Sequence, residues 1–71
     1  MSAGSMGRLE VRLEMVGAGI WLMMKFEPAP GVMIAPWAHM ETHETWGSAM
    51  ERVELQVKEL PGVELELDDQ T

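Results

Sequence analysis

Two segments near the start of the chain alternate strictly between apolar and polar residues. In residues 8–14 the odd positions are apolar and the even positions are charged, and residues 20–26 alternate again with apolar residues at even positions. A period of two is typical of a strand that buries one face. A two-residue type II′ turn that starts at Gly17 gives the glycine the position that requires a positive φ. The pattern therefore predicts a β-hairpin in which Leu13 faces Leu22.

This register collects the apolar side chains of the hairpin on one face. Its apolar pairs are Met15 with Ile20, Leu13 with Leu22, Val11 with Met24, and Leu9 with Phe26. On the other face Glu10 lies opposite Lys25, which is a favourable cross-strand pair. A turn shifted by one residue would instead place Arg12 against Lys25. We therefore predict the first register.

A third strand is predicted from a short apolar run. Prolines and a glycine in residues 27–31 end the second strand, and the apolar run Val32 to Ala35 follows. Pro36 cannot donate a hydrogen bond to a ladder, so we expect this strand to lie at an edge of the sheet or to end there. Residues 37–46 have no clean period and give no prediction.

A helix is predicted after Ser48, because Ser48 and Glu51 form the capping-box pattern ahead of an apolar repeat. The repeat places four apolar side chains on one helical face, namely Met50, Val53, Val57 and Leu60. A tight hairpin centred on Pro61 would oppose apolar residues to charges, so a helix is favoured over a strand here. The alternation of Val63 to Leu67 predicts a final half-buried strand.

Together these elements predict an α+β fold in the order β-β-β-α-β. One helix would pack on one face of a small antiparallel sheet of three to four strands. Residues 6–67 would form the single domain, after a small polar start at residues 1–5 that is typical of a vector-derived or disordered segment. Residues 68–71 would form an acidic tail. No signal peptide is evident and the longest apolar run is far shorter than the roughly 20 residues of a membrane span, so we expect a cytoplasmic protein with no membrane contact.

The charge and the cysteine count exclude several classes of function. The 71 residues include 12 Asp and Glu against 5 Lys and Arg, which gives a formal net charge of −7. Such a chain has no basic surface for direct binding of nucleic acid or an anionic membrane. It has no Cys, which excludes disulfides, cysteine zinc sites and cysteine nucleophiles. Because so small a core rarely supplies more than about 3–5 kcal/mol, we expect a homo-oligomer or a bound partner.

One face of the predicted hairpin is more apolar than a solvated face should be. Trp21 and Met23 lie there, and an apolar spot with a charged rim is typical of a protein contact. We predict a partner-binding surface formed by Trp21, Met23, Arg12, Glu14, Glu64 and Glu66. The alternative is that another part of the chain covers this face.

The preferred hypothesis is a small acidic protein–protein interaction module, dimeric or partner-bound. It would act as an inhibitor or regulator if its partner is a basic, nucleic-acid-associated protein.

A second hypothesis is a transition-metal site formed by His39 and His43. The two imidazoles are four residues apart and would share one face of a helix, a spacing that metal sites use. Further ligands could come from Met40, Glu41 and Glu44. The segment lacks the His-Glu-x-x-His order and a third histidine, so the alternative is a polar loop with two exposed histidines. No other cofactor is predicted. No catalytic constellation is evident, so we predict no enzymatic activity, although a subunit contributing Glu or His to a shared active site is a further alternative.

The order of elements resembles the partial-RNase-H-type domain of HicB antitoxins. The features that carry the resemblance are a glycine-containing hairpin, the pair Pro30-Gly31, and a Thr-x-x-x-Ala helix start at Thr45 and Ala49. The resemblance covers residues 9–60 and implies a toxin-neutralising domain. The chain departs from it in its long segment 34–44 and shows no DNA-binding appendage. Because the shared features are common turn residues, we do not assign the chain to this family.

Overall fold

The chain forms a four-stranded sheet with one helix on one of its faces. The elements are β1 Gly7–Val16, β2 Gly19–Pro28, β3 Trp37–His43, α1 Trp46–Glu59 and β4 Glu64–Asp69. The structure is a computed structural model that describes residues 5–71. The predicted α+β class and the order β-β-β-α-β are confirmed. Of the predicted start at residues 1–5, all but Ser5 lies outside the described residues.

The sheet is mixed, so the prediction of a wholly antiparallel sheet is wrong. The strand order is β3-β2-β1-β4, and β4 runs parallel to β1 while the other neighbours are antiparallel. The reason lies in the crossover after β3. Helix α1 carries the chain back to the end of the sheet where β3 begins, so β4 starts there and runs in the same direction as β3 and β1.

The hairpin of β1 and β2 has the predicted register. Leu13 pairs with Leu22 and Glu10 pairs with Lys25. The turn is closed by Val16 and Gly19, and Gly17 has a φ of 62°. Of the two central turn residues only this glycine has a positive φ, as a type II′ turn requires. The turn chemistry therefore determines which face of each strand is buried.

The core lies between this buried face of the hairpin and helix α1. The fully or almost fully buried residues are Leu9, Val11, Leu13, Ile20, Leu22, Met24, Phe26, Ala49, Val53 and Leu60. Phe26 also stacks on Trp37, with ring centroids 5.9 Å apart. Met15 was predicted on the buried face but is 58% exposed. Met15 lies beside the hairpin turn, where the apolar–polar alternation of the sequence extends beyond the part of the sheet that packs in the core.

The predicted third strand at residues 32–35 is wrong. These residues form an irregular connection, in which Met33 is 97% exposed. The strand instead begins directly after Pro36, at Trp37. Four consecutive apolar residues carry no period-two signal, and the positive φ of Gly31 (88°) belongs to the turn that ends β2. The apolar run therefore belongs to a loop.

Helix α1 begins two residues before the predicted cap. The N-cap is Thr45, whose Oγ1 accepts a hydrogen bond from the backbone N–H of Ser48 at 3.1 Å. Ser48 therefore lies within the first turn, and its hydroxyl is free for another contact. The helix ends at Glu59, before Pro61, which cannot continue a helix. Ala49, Val53 and Leu60 are buried, whereas Met50 and Val57 are only partly buried.

Strand β4 differs from its prediction in length and in burial. It begins one residue later than expected and extends through Asp69, so the predicted acidic tail from residue 68 partly belongs to the strand. The backbone N–H of Gln70 still donates to Leu13 O at 2.8 Å. All six residues of β4 are exposed, Leu65 by 45%, so the apolar face of β4 is not buried as predicted. The reason is that α1 lies closer to β2 and β3 than to β4. An apolar groove of about 390 Å³ between α1 and β4 results.

Two glycines with equal space around them should respond oppositely to substitution by alanine. A Cβ at Gly47 or at Gly17 would meet nothing within 4 Å, but Gly17 has a φ of 62° and Gly47 has ordinary helical geometry. Gly47→Ala should stabilise the fold by about 0.4–1 kcal/mol, because alanine reduces the entropy of the unfolded chain. Gly17→Ala should cost about 1–2 kcal/mol for left-handed backbone. Urea unfolding of both variants measures the difference, and equal effects would contradict the assigned turn.

Within residues 5–71 no helix is long and apolar enough to cross a membrane.

Candidate functional site

One face of the sheet carries no helix within the described part of the chain, and it is termed the open face below. It presents the even-numbered residues of β1, β3 and β4 and the odd-numbered residues of β2. From edge to edge its rows are Thr42, Trp21 and Glu14; Met40, Met23, Arg12 and Asp68; Ala38, Lys25, Glu10 and Glu66; and Glu27, Arg8 and Glu64. The face is apolar towards β3 and acidic towards β4.

The structure places all six sequence-predicted partner-binding residues on the open face. Trp21 pairs with Glu14, and Met23 pairs with Arg12 in the next row. The remaining two, Glu64 and Glu66, lie on β4 across from the hairpin. The parallel pairing of β4 with β1 is what brings the C-terminal carboxylates next to the charged residues of the hairpin.

The apolar part of the open face extends beyond the predicted residues. Trp21 and Met23 are partly buried, and Met40 on β3 lies beside Met23 with 62% of its surface exposed. Sequence reasoning missed Met40, because one face of β3 is only weakly apolar and the other face is polar. The helix-facing positions of β3 include His39 and Glu41, so the hydrophobic period that revealed β1 and β2 is missing here.

The charged part of the open face is a network of ion pairs in which carboxylates outnumber cations. Arg8 contacts Glu27 at 3.1 Å and Glu66 at 3.3 Å. The charges of Glu66 and Glu10 raise the pKa of Arg8 above its ordinary value. Its guanidinium therefore stays charged at any physiological pH.

The second row of the network joins β1 to β4. Arg12 contacts Glu14 at 3.5 Å and Asp68 at 3.7 Å. Lys25 lies 3.9 Å from Glu27. Each of the three cations on the open face thus has a carboxylate partner.

The open face contains a shallow cavity. The cavity has a volume of about 590 Å³, and its side chains come from β1, β2 and β4. Met23 contributes apolar surface. The charged lining consists of three carboxylates and two cations, namely Glu10, Glu66, Asp68, Arg12 and Lys25.

Comparison with known proteins finds no match. No family model, no curated protein and no solved structure matches the chain. The resemblance to HicB antitoxins therefore rests on the order of elements and the helix start. There, Thr45 caps α1 and Ala49 is fully buried against the sheet.

A second group of polar side chains lies on the helix-facing side of β3. Glu41 accepts hydrogen bonds from Nε2 of His39 at 2.8 Å and from Nε2 of His43. Its carboxylate also lies 3.4 Å from Nε of Arg52 on α1. Nε2 of His43 donates to Glu41, and Nδ1 of His43 forms a hydrogen bond with the Ser48 hydroxyl, 2.8 Å away. The cluster ties β3 to the first half of the helix.

This geometry gives the predicted metal site a different setting from the one expected. His39 and His43 lie on a strand, so they share a face but are about 13 Å apart along the backbone, with Glu41 between them. Within the described residues, no group of three or more His, Cys, Asp or Glu side chains is placed to hold a metal ion. The two imidazoles instead serve as hydrogen-bond donors to one carboxylate.

The stability of the fold should fall in acid partly through Glu41. Partial burial raises the pKa of Glu41, but hydrogen bonds from His39 and His43 and the charges of His43 and Arg52 outweigh burial, so the pKa lies below the ordinary 4.5. A lowered pKa stabilises the fold above the unfolded-state pKa, and this stabilisation is lost as the pH falls through the folded-state value. Urea midpoints at pH 6 and pH 3 should therefore differ less in Glu41→Gln than in the wild type. Glu51→Gln, on the exposed side of α1, should keep the wild-type difference between the two urea midpoints. An equal difference in all three proteins would contradict the prediction.

Proposed function

We propose that the protein is a small, non-enzymatic protein–protein interaction module whose open face binds a basic protein. A partner of this class that itself acts on nucleic acid would be inhibited or regulated by the complex. The single observation that carries the proposal is the arrangement of the open face, where the partly buried Trp21 and Met23 and the exposed Met40 lie next to an acidic strand. The two halves of the argument are the apolar stripe and the excess of carboxylates.

The apolar stripe supports a protein contact. A solvated sheet face normally presents polar residues, yet the open face carries Trp21, Met23 and Met40 side by side. Trp and Met are enriched in the cores of protein interfaces, and a large apolar patch with a charged rim is typical of a binding surface. Covering these side chains with a partner removes apolar area from water and adds to the stability of a small core.

The excess of carboxylates supports a basic partner. The open face carries six carboxylates and three cations, a formal net charge of −3. All three cations are already paired within the face, so the surplus charge that a partner would meet is negative. Complementary charge steers association and selects against acidic competitors. The same surplus disfavours direct contact with nucleic acid.

Toxin neutralisation in the manner of HicB antitoxins is one specific form of this proposal. It is favoured by the order β-β-β-α-β and by the capping role of Thr45 ahead of the buried Ala49. Under this form the basic partner is a toxin encoded next to the gene for this chain. Sequencing the neighbouring genes would test this more specific form directly.

The proposal is tested by affinity capture with a matched pair of variants. Wild type, the open-face variant Trp21→Ser/Met23→Ser, and the helix variant Leu55→Ser would be immobilised and exposed to lysate of the source organism at low and high salt. Leu55 is 58% exposed and lies on α1, so it controls for the loss of an exposed apolar side chain. We expect one basic protein to bind wild type and Leu55→Ser at low salt, and to bind the open-face variant much less. The purified partner should then bind the wild type in calorimetry. The proposal would be contradicted if no basic protein in the lysate binds wild type and Leu55→Ser more strongly than the open-face variant.

A further inference from the structure

The two edges of the sheet are protected to different degrees. Strand β4 forms one edge, and its sequence from Glu64 to Asp69 carries four carboxylates that discourage pairing with another strand. Strand β3 forms the other edge, and its seven residues include one carboxylate and no Lys, Arg or Pro. Within residues 5–71, β3 pairs only with β2. An edge of this kind is a template for pairing with a further strand.

We propose that β3 pairs antiparallel with β3 of a second copy of this chain, with Met40 on the twofold axis. The two four-stranded sheets would then join into one continuous sheet of eight strands. The axis is perpendicular to the sheet, so both open faces lie on one side and both helices on the other. The proposal concerns an edge of the sheet and does not depend on the basic partner of the open face.

Hydrogen-bond complementarity between a carboxylate and an imidazole selects this register. With Met40 on the axis, Glu41 of each copy lies directly opposite His39 of the other copy, and both pairs form on the helix-facing side. His39 is half exposed there, with a side-chain exposure of 49%, so it can reach a neighbouring strand. An axis at His39 would instead oppose two imidazoles, and an axis at Glu41 would oppose two carboxylates. The chosen register also pairs all seven residues of β3.

The same register continues the apolar stripe of the open face across the axis. Met40 lies beside Met23 within one copy and would lie beside Met40 of the second copy. Its exposed side chain, 62% accessible in the isolated chain, would be covered from both sides. The acidic β4 strands would lie at the two outer edges, where they remain available to a basic partner. The dimer thus covers apolar surface that a core of this size leaves exposed.

Cysteine cross-linking tests both the dimer and its register, because the chain contains no Cys. Residues opposite each other in an antiparallel pair have Cα atoms about 4.5–5.5 Å apart, within the range of a disulfide. Met40→Cys should therefore form a covalent dimer about ten-fold faster than Met33→Cys, which is an exposed loop control. Ala38→Cys and Thr42→Cys should each fail to cross-link alone, because each lies about 13 Å from its own copy. A mixture of the two should cross-link, since these positions face each other.

A charge-swap series supplies an independent measurement on folded protein. His39→Glu places carboxylates opposite each other at both pairs, and sedimentation should show a dissociation constant about ten-fold higher than that of the wild type. The double variant His39→Glu/Glu41→His restores a carboxylate opposite an imidazole at both pairs and should recover the dimer, with circular dichroism confirming the fold of each variant. A wild type that stays at 7.9 kDa at all concentrations would overturn the proposal. So would Met40→Cys reacting no faster than Met33→Cys, or Ala38→Cys cross-linking alone. Trp21→Ser should leave the dimer intact, which separates this test from that of the open face.

Discussion

Truncating Phe26 to alanine should leave the chain mostly unfolded in water at room temperature. Phe26 is fully buried in the core and stacks on Trp37, which begins β3. Removing a buried phenylalanine side chain typically costs about 3–5 kcal/mol. A core of this size rarely supplies more than about 3–5 kcal/mol in total. The loss should therefore consume most of the free energy of unfolding.

Circular dichroism and urea titration measure this effect. Met33→Ala is the matched control, because Met33 is 97% exposed and its truncation should change the unfolding free energy by less than about 0.5 kcal/mol. If Phe26→Ala kept a cooperative transition within about 1 kcal/mol of the wild type, the core would not lie where β1, β2 and α1 place it.

The second large effect concerns Trp21 and the affinity for the proposed partner. Trp21 lies beside Met23 in the apolar stripe of the open face, and a tryptophan at the centre of an interface often contributes most of the binding energy. Trp21→Ala should weaken binding of the purified basic partner by about 2 kcal/mol, which is about 30-fold in the dissociation constant. The side chain is only partly buried in the isolated chain, so the fold should tolerate the change.

Trp46→Ala provides the control of the same residue type. Trp46 begins α1, is 47% exposed, and donates from Nε1 to Asp69 at 3.0 Å, away from the open face. Calorimetry should give an affinity within about two-fold of the wild type for this variant. An equal loss of affinity in both variants would mean that the partner does not bind specifically through the open face.

The hairpin could be predicted from the sequence because several independent signals agree there. Alternation, the Gly17 turn and the Glu10–Lys25 pair all favour the same register, and burial of Leu13 and Leu22 follows from it. Agreement between local signals and the global fold is what makes such a segment predictable. The four hairpin members of the predicted partner-binding surface, namely Arg12, Glu14, Trp21 and Met23, share one face for the same reason.

Strand β3 could not be predicted because its polar residues satisfy one another. His39, Glu41 and His43 face the helix side, where a strand normally shows apolar residues, and their hydrogen bonds replace hydrophobic burial. The apolar run at residues 32–35 gave a competing signal. Since Met40 lies on the missed strand, one of the three side chains of the apolar stripe was missed with it.

The direction of β4 could not be predicted from alternation, which is identical for parallel and antiparallel pairing. Leu65 and Leu67 alternate with carboxylates in either case, and only the helical crossover from β3 determines that β4 runs parallel to β1. This direction decides which carboxylates approach the hairpin. The acidic half of the open face is thus a consequence of topology.

The most direct test of the open face as the binding surface is an amide chemical-shift titration of the labelled chain with its purified basic partner. The account predicts that the largest perturbations fall on residues of the open face, above all Trp21, Met23 and Met40, and extend to Glu66 on β4. Amides of α1 away from the sheet, such as that of Leu55, should shift little. Perturbations concentrated on α1 or on the loop at residues 29–36, with the open face unchanged, would contradict the account.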